Sequence, residues 1–218
     1  MTVPARGGSS VDLRRAFRLD ASSVWVVTSA DAGTPVGFTA VSVVSVSLAP
    51  PILSFNVSRT SSSLDTLLRS GRYAVHLLAA DQEATARRFA GPAAERFADD
   101  RTWSWDEDGL PRLHGVLTRL SGSLLRLVDA GDSHLVLGEV ARSDADDDRR
   151  GLDGHDGLDG LDLPARLPRR TTDPLLHHDR TYTRAERPAP VQADRTPQGG
   201  SRPGARHRPP AALAGAVA

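Results

Sequence analysis

The side chains best equipped for chemistry in this sequence are hydroxyls. Thr39, Ser42, Ser45 and Ser47 fall close together within residues 37–51. Hydroxyls beside backbone N–H groups are good partners for a polar planar ring and for phosphate oxygens. From the period alone, a half-exposed strand with solvated serines is the simpler reading. A second group, Ser61, Ser62 and Ser63, follows Arg59. Its position just before an apolar period at Leu64, Leu67 and Leu68 suits helix capping. His134 stands alone in Gly131-Asp132-Ser133-His134, and a lone histidine is more often structural than catalytic. His177 and His178 are adjacent, so on an extended chain they point to opposite faces and chelate poorly together. With no cysteine in the chain, disulfides, thiolate nucleophiles and cysteine-ligated metals are excluded, and no metal site is expected. Neither a Ser-His-Asp set nor a paired-carboxylate signature stands out.

The elements that must position these groups are short strands. Residues 23–29 form a β-branched run. Turn chemistry at 31–35 and a second strand at 36–39 make a hairpin. Residues 41–47 alternate serine and valine, with a slip at Val43-Val44 that reads as a bulge. Residues 52–57 form another strand. A helix starts at the serines and stops at Gly71. Residues 73–78 form a strand, and a helix capped by Asp81 runs to Gly91. A polar stretch bearing tryptophans occupies 92–112, followed by strands near 116–128 and 134–140. An early short helix capped by Asp12 carries Leu13, Ala16 and Phe17. This is the pattern of a mainly β, antiparallel barrel with short helical insertions.

The chain of 218 residues has 27 basic and 27 acidic side chains, 39% hydrophobic residues and zero formal net charge. Every basic residue is arginine. Such a balance offers no electrostatic case for nucleic acid or membrane partners. No secretory signal or membrane-spanning stretch is read. Composition divides the chain into a Gly/Ser leader at 1–10, a domain at 11–185 and an Arg/Pro/Ala-rich tail at 186–218 expected to be disordered. Within the domain, 141–173 reads as a flexible insertion, with Gly-Leu-Asp recurring at 151, 157 and 160. No Gly-x-Gly-x-x-Gly follows a strand, so a Rossmann domain is not expected.

Taken in order, several of these pieces resemble one family. Residues 37–51 read Gly-x-Thr-Ala-x-Ser-x-x-Ser-x-Ser-x-x-Pro-Pro. Residues 24–37 precede them, and Ser61-Ser62-Ser63-Leu64, residues 73–82 and Arg88-Phe89-Ala90-Gly91 come after. Residues 131–140 and 174–182 close the series. Their order and spacing resemble the flavin reductase-like family with the FMN-binding split β-barrel. Such a resemblance implies a Greek-key-like antiparallel fold and a homodimer with flavin near the subunit interface. It implies that Thr39, Ala40 and Ser42 face the flavin ring and ribityl chain, and that Ser45, Val46 and Ser47 continue the contact. It sets Ser61, Ser62 and Ser63 at the phosphate, where a helix N-terminus favours an anion, with Arg59 adding charge. Phe89, Ala90 and Gly91 lie near the flavin tail, although Phe89 fits a core position equally well. His134 becomes the candidate for positioning the nicotinamide. The family pattern puts histidine directly after aspartate, whereas here Ser133 intervenes.

The implied reaction is NADH- or NADPH-dependent reduction of FMN or FAD, in the cytoplasm, with hydride passing from nicotinamide to flavin N5. The cofactor carries the reactive chemistry, so no protein nucleophile or general base is required. Reduced flavin would then supply a partner monooxygenase. The alternatives on the same fold are an FMN-dependent oxidase, a non-catalytic flavin or heme binder, and a copy impaired by its unusual C-terminal region.

Overall fold

The computed structural model describes residues 12–144 and 173–185. The expected leader at 1–10, the Gly-Leu-Asp recurrences and the expected tail at 186–218 lie outside the described residues.

Helix α1 (Leu13–Ala16) is capped as expected, the Asp12 carboxylate accepting from the Arg15 N–H. Strand β1 (Ser22–Ser23) leads into β2 (Trp25–Asp31) and β3 (Thr34–Ala40). The β2–β3 hairpin turns on Ala32 and Gly33, both with positive φ (47° and 76°), the twist-matched two-residue turn that hairpins favour. Strand β4 (Val44–Leu48) pairs with β5 (Pro51–Ser58), with its irregularity between Ser45 and Ser47 rather than at Val43-Val44. Helix α2 (Leu64–Ser70) stops at Gly71, whose left-handed φ of 63° ends it as read. Strand β6 (Arg72–Leu77) and helix α3 (Glu83–Ala90) follow. The residue capping α3 is Gln82, not Asp81. Its side chain accepts from the Ala79 N–H and donates to the His114 carbonyl, tying the loop on both sides.

The tryptophan-bearing connection is not featureless. It folds into a ribbon of β7 (Trp103–Trp105) and β8 (Pro111–Leu113). The long hairpin β9 (Thr118–Ala130) and β10 (Ser133–Ser143) comes next. Strand β10 thus runs three residues into the segment expected to be flexible. Strands β11 (Leu175–His178) and β12 (Thr181–Arg184) form a small sheet with β1.

The main sheet has seven antiparallel strands in the order β3-β2-β6-β9-β10-β5-β4. It curls over one apolar core: Val27 of β2, Phe55 and Val57 of β5, Tyr73 and Val75 of β6, and Val136 of β10 pack together with Leu67 of α2. A second core joins Val24, Val26, Leu78, Phe89, Leu113 and Leu175 beneath α3. The edge strands β3 and β4 are not hydrogen-bonded to each other among the described residues. The fold is mainly β and antiparallel with short helices, as read from the sequence. No helix among the described residues is long and apolar enough to cross a membrane.

Candidate functional site

The hydroxyl segment divides at the end of β3. Thr39 is half-buried and its hydroxyl donates to the Ala86 carbonyl at 2.6 Å, so it ties β3 to α3. Ala40 is buried in the main core. Ser42 accepts from the Asn56 N–H at 3.0 Å and keeps its own hydroxyl hydrogen for another acceptor. Beyond the bend, Ser45 and Ser47 line an apolar cavity of about 430 Å³ with Trp25, Leu53, Leu120 and Val140. Val46 is 53% exposed on the edge strand.

The serine group before α2 is arranged unevenly. Ser63 is the N-cap residue, yet its side chain makes no capping bond. Only 1% exposed, it donates instead to the Gly37 carbonyl. The Ser61 hydroxyl accepts from the Ser63 N–H, which is a local turn closure. Ser61 and Ser62 both keep a hydroxyl hydrogen with no acceptor among the described residues, and Ser62 is the more exposed of the two. Helix α2 spans seven residues, so its dipole is a modest source of positive charge.

That charge comes from Arg96, which the sequence reading missed. Its guanidinium donates through Nη1 to the Gly37 carbonyl (2.7 Å) and to the Ser62 and Ser63 hydroxyls (3.3 Å each). Through Nε and Nη2 it donates to the Gly91 carbonyl (3.1 and 2.9 Å). One residue therefore gathers the end of α3, strand β3 and the serine turn, three pieces far apart in sequence. Every one of these partners is neutral. Burial pulls the guanidinium pKa below its ordinary value, because desolvation disfavours the charge. Among the described residues the arginine is held by carbonyls and hydroxyls and has no carboxylate partner, so its charge is not paired. One Nη2 hydrogen has no acceptor among the described residues, since these contacts use four of the five guanidinium hydrogens. In the sequence Arg96 looked like one more arginine in a polar stretch. Only its partners distinguish it.

Gly37 explains the close packing here. A Cβ at that position would lie 2.9 Å from the Val27 carbonyl and 3.0 Å from the Phe89 ring. Phe89 is 1% exposed and stacks edge-on with Phe97 at 5.1 Å, so it is a core residue. Ala90 is exposed, and Gly91 is half-buried with its carbonyl on Arg96.

Arg59 points away from the serine turn. Its Nε donates to the Gly131 carbonyl at 2.9 Å and its Nη2 lies 2.9 Å from Asp129 Oδ1. The Arg59 N–H also donates to the Asp132 carbonyl. It therefore clamps the tip of the β9–β10 hairpin. His134 sits on that hairpin, opposite Asp129 in β9 and Val57 in β5, with 11% of its side chain exposed. Ser133 turns to the Asp132 carboxylate. His177 stacks on Tyr182, 5.5 Å between ring centres.

The structure thus brings together Thr39, Ser61, Ser62, Ser63 and Gly91 through β3, α3 and Arg96, while Ser42 is tied to β5 through Asn56. Arg59 and His134 share a second cluster at the hairpin tip, and Ser45 and Ser47 line the cavity. For a phosphorylated polyol carrying a planar ring, the donor set fits: a half-buried uncompensated cation, free serine hydroxyls and a turn open to an anion.

Comparison with known proteins agrees with this chemistry. Residues 17–186 match the family described as the flavin reductase like domain. An NADH:FMN oxidoreductase of Rhodococcus qingshengii is 44% identical over 138 residues, covering 63% of this chain and 71% of that protein. The reductase subunit of a flavin-dependent monooxygenase of Rhodococcus jostii is 35% identical over 120 residues, covering 55% of this chain and 61% of that protein. Among solved structures, an NADH:FAD oxidoreductase of Streptomyces globisporus C-1027, in complex with NAD and FAD fragments, superposes with a TM-score of 0.62 at 30% identity. That alignment covers 84% of this chain and 94% of the other. With the match spanning most of the chain, the protein is a member of the flavin reductase-like domain family.

Proposed function

We propose that this protein is a reductase that transfers hydride from NADH or NADPH to FMN or FAD and passes the reduced flavin to a monooxygenase. The observation that carries the site assignment is Arg96, a half-buried cation with neutral partners only, beside the Ser61–Ser63 turn. Arg96 and the Ser62 hydroxyl hold the phosphate. Ser42 and the chain at Thr39 and Ala40 border the ring and ribityl side. The bound flavin supplies the two-electron acceptor. His134 orients the nicotinamide from the β9–β10 hairpin. No side chain needs to abstract a proton from carbon; the protein contributes proximity and alignment, the larger part of what a hydride transfer between two rings requires.

A second copy completes the molecule. Val44, Val46 and Leu48 on the edge strand β4 are 58%, 53% and 88% exposed, and Leu125, Leu127 and Val128 on β9 are 55%, 38% and 39% exposed. Apolar side chains so placed on a strand edge favour burial against an identical partner, and sedimentation velocity tests the dimer. Several relatives are reductase components of monooxygenases by name, the Rhodococcus jostii subunit among them, which supports delivery of reduced flavin to such a partner.

The test is anaerobic NADH and NADPH oxidation with and without added FMN or FAD, followed by bleaching of the flavin absorbance. Oxidation that requires added flavin supports the reductase. Stably coloured protein with no turnover supports the binder alternative.

A further inference from the structure

We propose that Asp129 is a positioning residue whose carboxylate holds the His134 ring with its hydrogen on Nδ1, presenting the Nε2 lone pair to the carboxamide N–H of a bound nicotinamide. The inference rests on the reductase reading and deepens it. Asp129 was not among the candidate residues from the sequence.

The hairpin register carries the first part of the argument. His134 and Asp129 are direct cross-strand partners, the second pair from the Gly131-Asp132 turn. Directly opposed residues share a face of the sheet and their side chains meet. The His134 Nδ1 atom lies 2.9 Å from Asp129 Oδ1. That nitrogen is sealed from solvent and has no aligned hydrogen-bond partner among the described residues. A sealed ring nitrogen is costly unless partnered, and the Asp129 carboxylate is the acceptor within reach of it.

The second part is how firmly the carboxylate is held. Asp129 itself is largely exposed, with 74% of its side chain accessible, so alone it would swing freely. Arg59 prevents this. Its Nη2 sits 2.9 Å from the same Oδ1, while its Nε and N–H bind the Gly131 and Asp132 carbonyls. Gly131 takes a φ of 65° at that tip, a conformation glycine adopts without strain. Arg59 thus fixes both the hairpin tip and the carboxylate, and supplies its countercharge. A neutral imidazole has one N–H. An acceptor beside Nδ1 selects the tautomer with hydrogen there, and the other nitrogen becomes the acceptor facing a ligand.

The experiment compares wild type with Asp129→Asn, Asp129→Ala and Asp129→Glu, using full-length protein. Long-range 1H–15N spectra of the histidine rings, assigned with His134→Gln, report the tautomer without any flavin or NADH present. Asp129→Ala is expected to shift His134 toward the tautomer with hydrogen on Nε2, and Asp129→Glu to restore the wild-type pattern. Stopped-flow reduction of bound flavin by NADH is expected to slow about tenfold in Asp129→Ala, the loss typical when a histidine loses its orienting partner. The FMN dissociation constant should stay within about twofold, since a residue acting on hydride alignment alone leaves flavin affinity alone. An unchanged tautomer pattern in Asp129→Ala overturns the proposal whatever the rate. So does a rate loss matched by an equal loss of flavin affinity, which marks a structural role. If Asp129→Ala fails to fold, Asp129→Leu, of similar size and without an acceptor, takes its place in the same comparison. Wild-type protein that binds flavin yet oxidises neither NADH nor NADPH refutes the reductase reading, while the tautomer measurement still decides the role of Asp129.

Discussion

Replacing Arg96 with alanine separates a phosphate anchor from a scaffold residue. The guanidinium serves the Gly37 and Gly91 carbonyls and two serine hydroxyls. A hydrogen bond from a charged donor contributes about 1.5–3 kcal/mol when well shielded. Arg96 is only half-buried and water can reach part of each abandoned carbonyl, so a value below that range, about 1 kcal/mol, applies to each. Two carbonyls lost at about 1 kcal/mol each give about 2 kcal/mol of stability. For a chain of this size that is a fall in Tm of about 4–8 °C. The loss of a direct charge-assisted contact to phosphate adds about 1.4–3 kcal/mol to the binding cost, or roughly 10- to 100-fold in Kd. Fluorescence titration with FMN and with riboflavin, which lacks the phosphate, distinguishes the two effects. Arg96→Ala should weaken FMN about 10- to 100-fold and riboflavin by less than about threefold. Arg96→Lys should recover part of the FMN affinity through charge, while failing to bridge Gly37 and Gly91, because one ammonium cannot span a planar fork. Equal weakening of FMN and riboflavin would refute the assignment and leave Arg96 as a scaffold residue.

Other expectations follow from named contacts. Ser42→Ala should raise the flavin Kd severalfold in fluorescence quenching and also loosen β4 against β5 by about 1 kcal/mol in urea unfolding, because Asn56 loses its acceptor. His134→Ala should slow flavin bleaching by NADH more than it weakens flavin binding; an unaltered stopped-flow rate removes it from the mechanism. Phe89→Ala should cost about 3–5 kcal/mol in the same unfolding assay, given its full burial in the second core. His76 is fully buried and its pKa is pushed from 6.5 down to about 3, first by desolvation and then by the neighbouring Arg119. Its unfolded form takes up a proton more readily, so stability is full above 6.5 and falls as the pH drops toward 3. At two pH units below the unfolded value the loss is about 3 kcal/mol. His76→Asn should flatten that part of the acid-unfolding curve measured by circular dichroism; an identical acid limb would show that His76 does not set it.

Much of the architecture was legible from local chemistry. Alternation and β-branching marked the strands, Gly71 and Gly91 marked helix ends, and turn residues at 31–35 marked the first hairpin, because each depends on neighbours in sequence. The order of hydroxyl, glycine and histidine motifs pointed to flavin before any contact was known. Edges were less legible. Asp81 is a good capping residue by type, but Gln82 took the place by reaching His114, a partner 32 residues away.

What tertiary structure alone decided is which polar residues share a site. Arg59 and Arg96 are the same chemistry in the sequence, and the one beside the serines looked like the phosphate ligand. The fold turns Arg59 to the hairpin tip and carries Arg96 across from the polar connection to the serine turn. Ser61, Ser62 and Ser63 are identical in type, yet one is sealed against Gly37 and another is left with a free hydroxyl. Asp129 acquires its place beside His134 only through the register of a long hairpin. Local sequence sets which groups are available and what conformation each segment prefers. Long-range pairing sets their distances, and at hydrogen-bonding range those distances determine the chemistry.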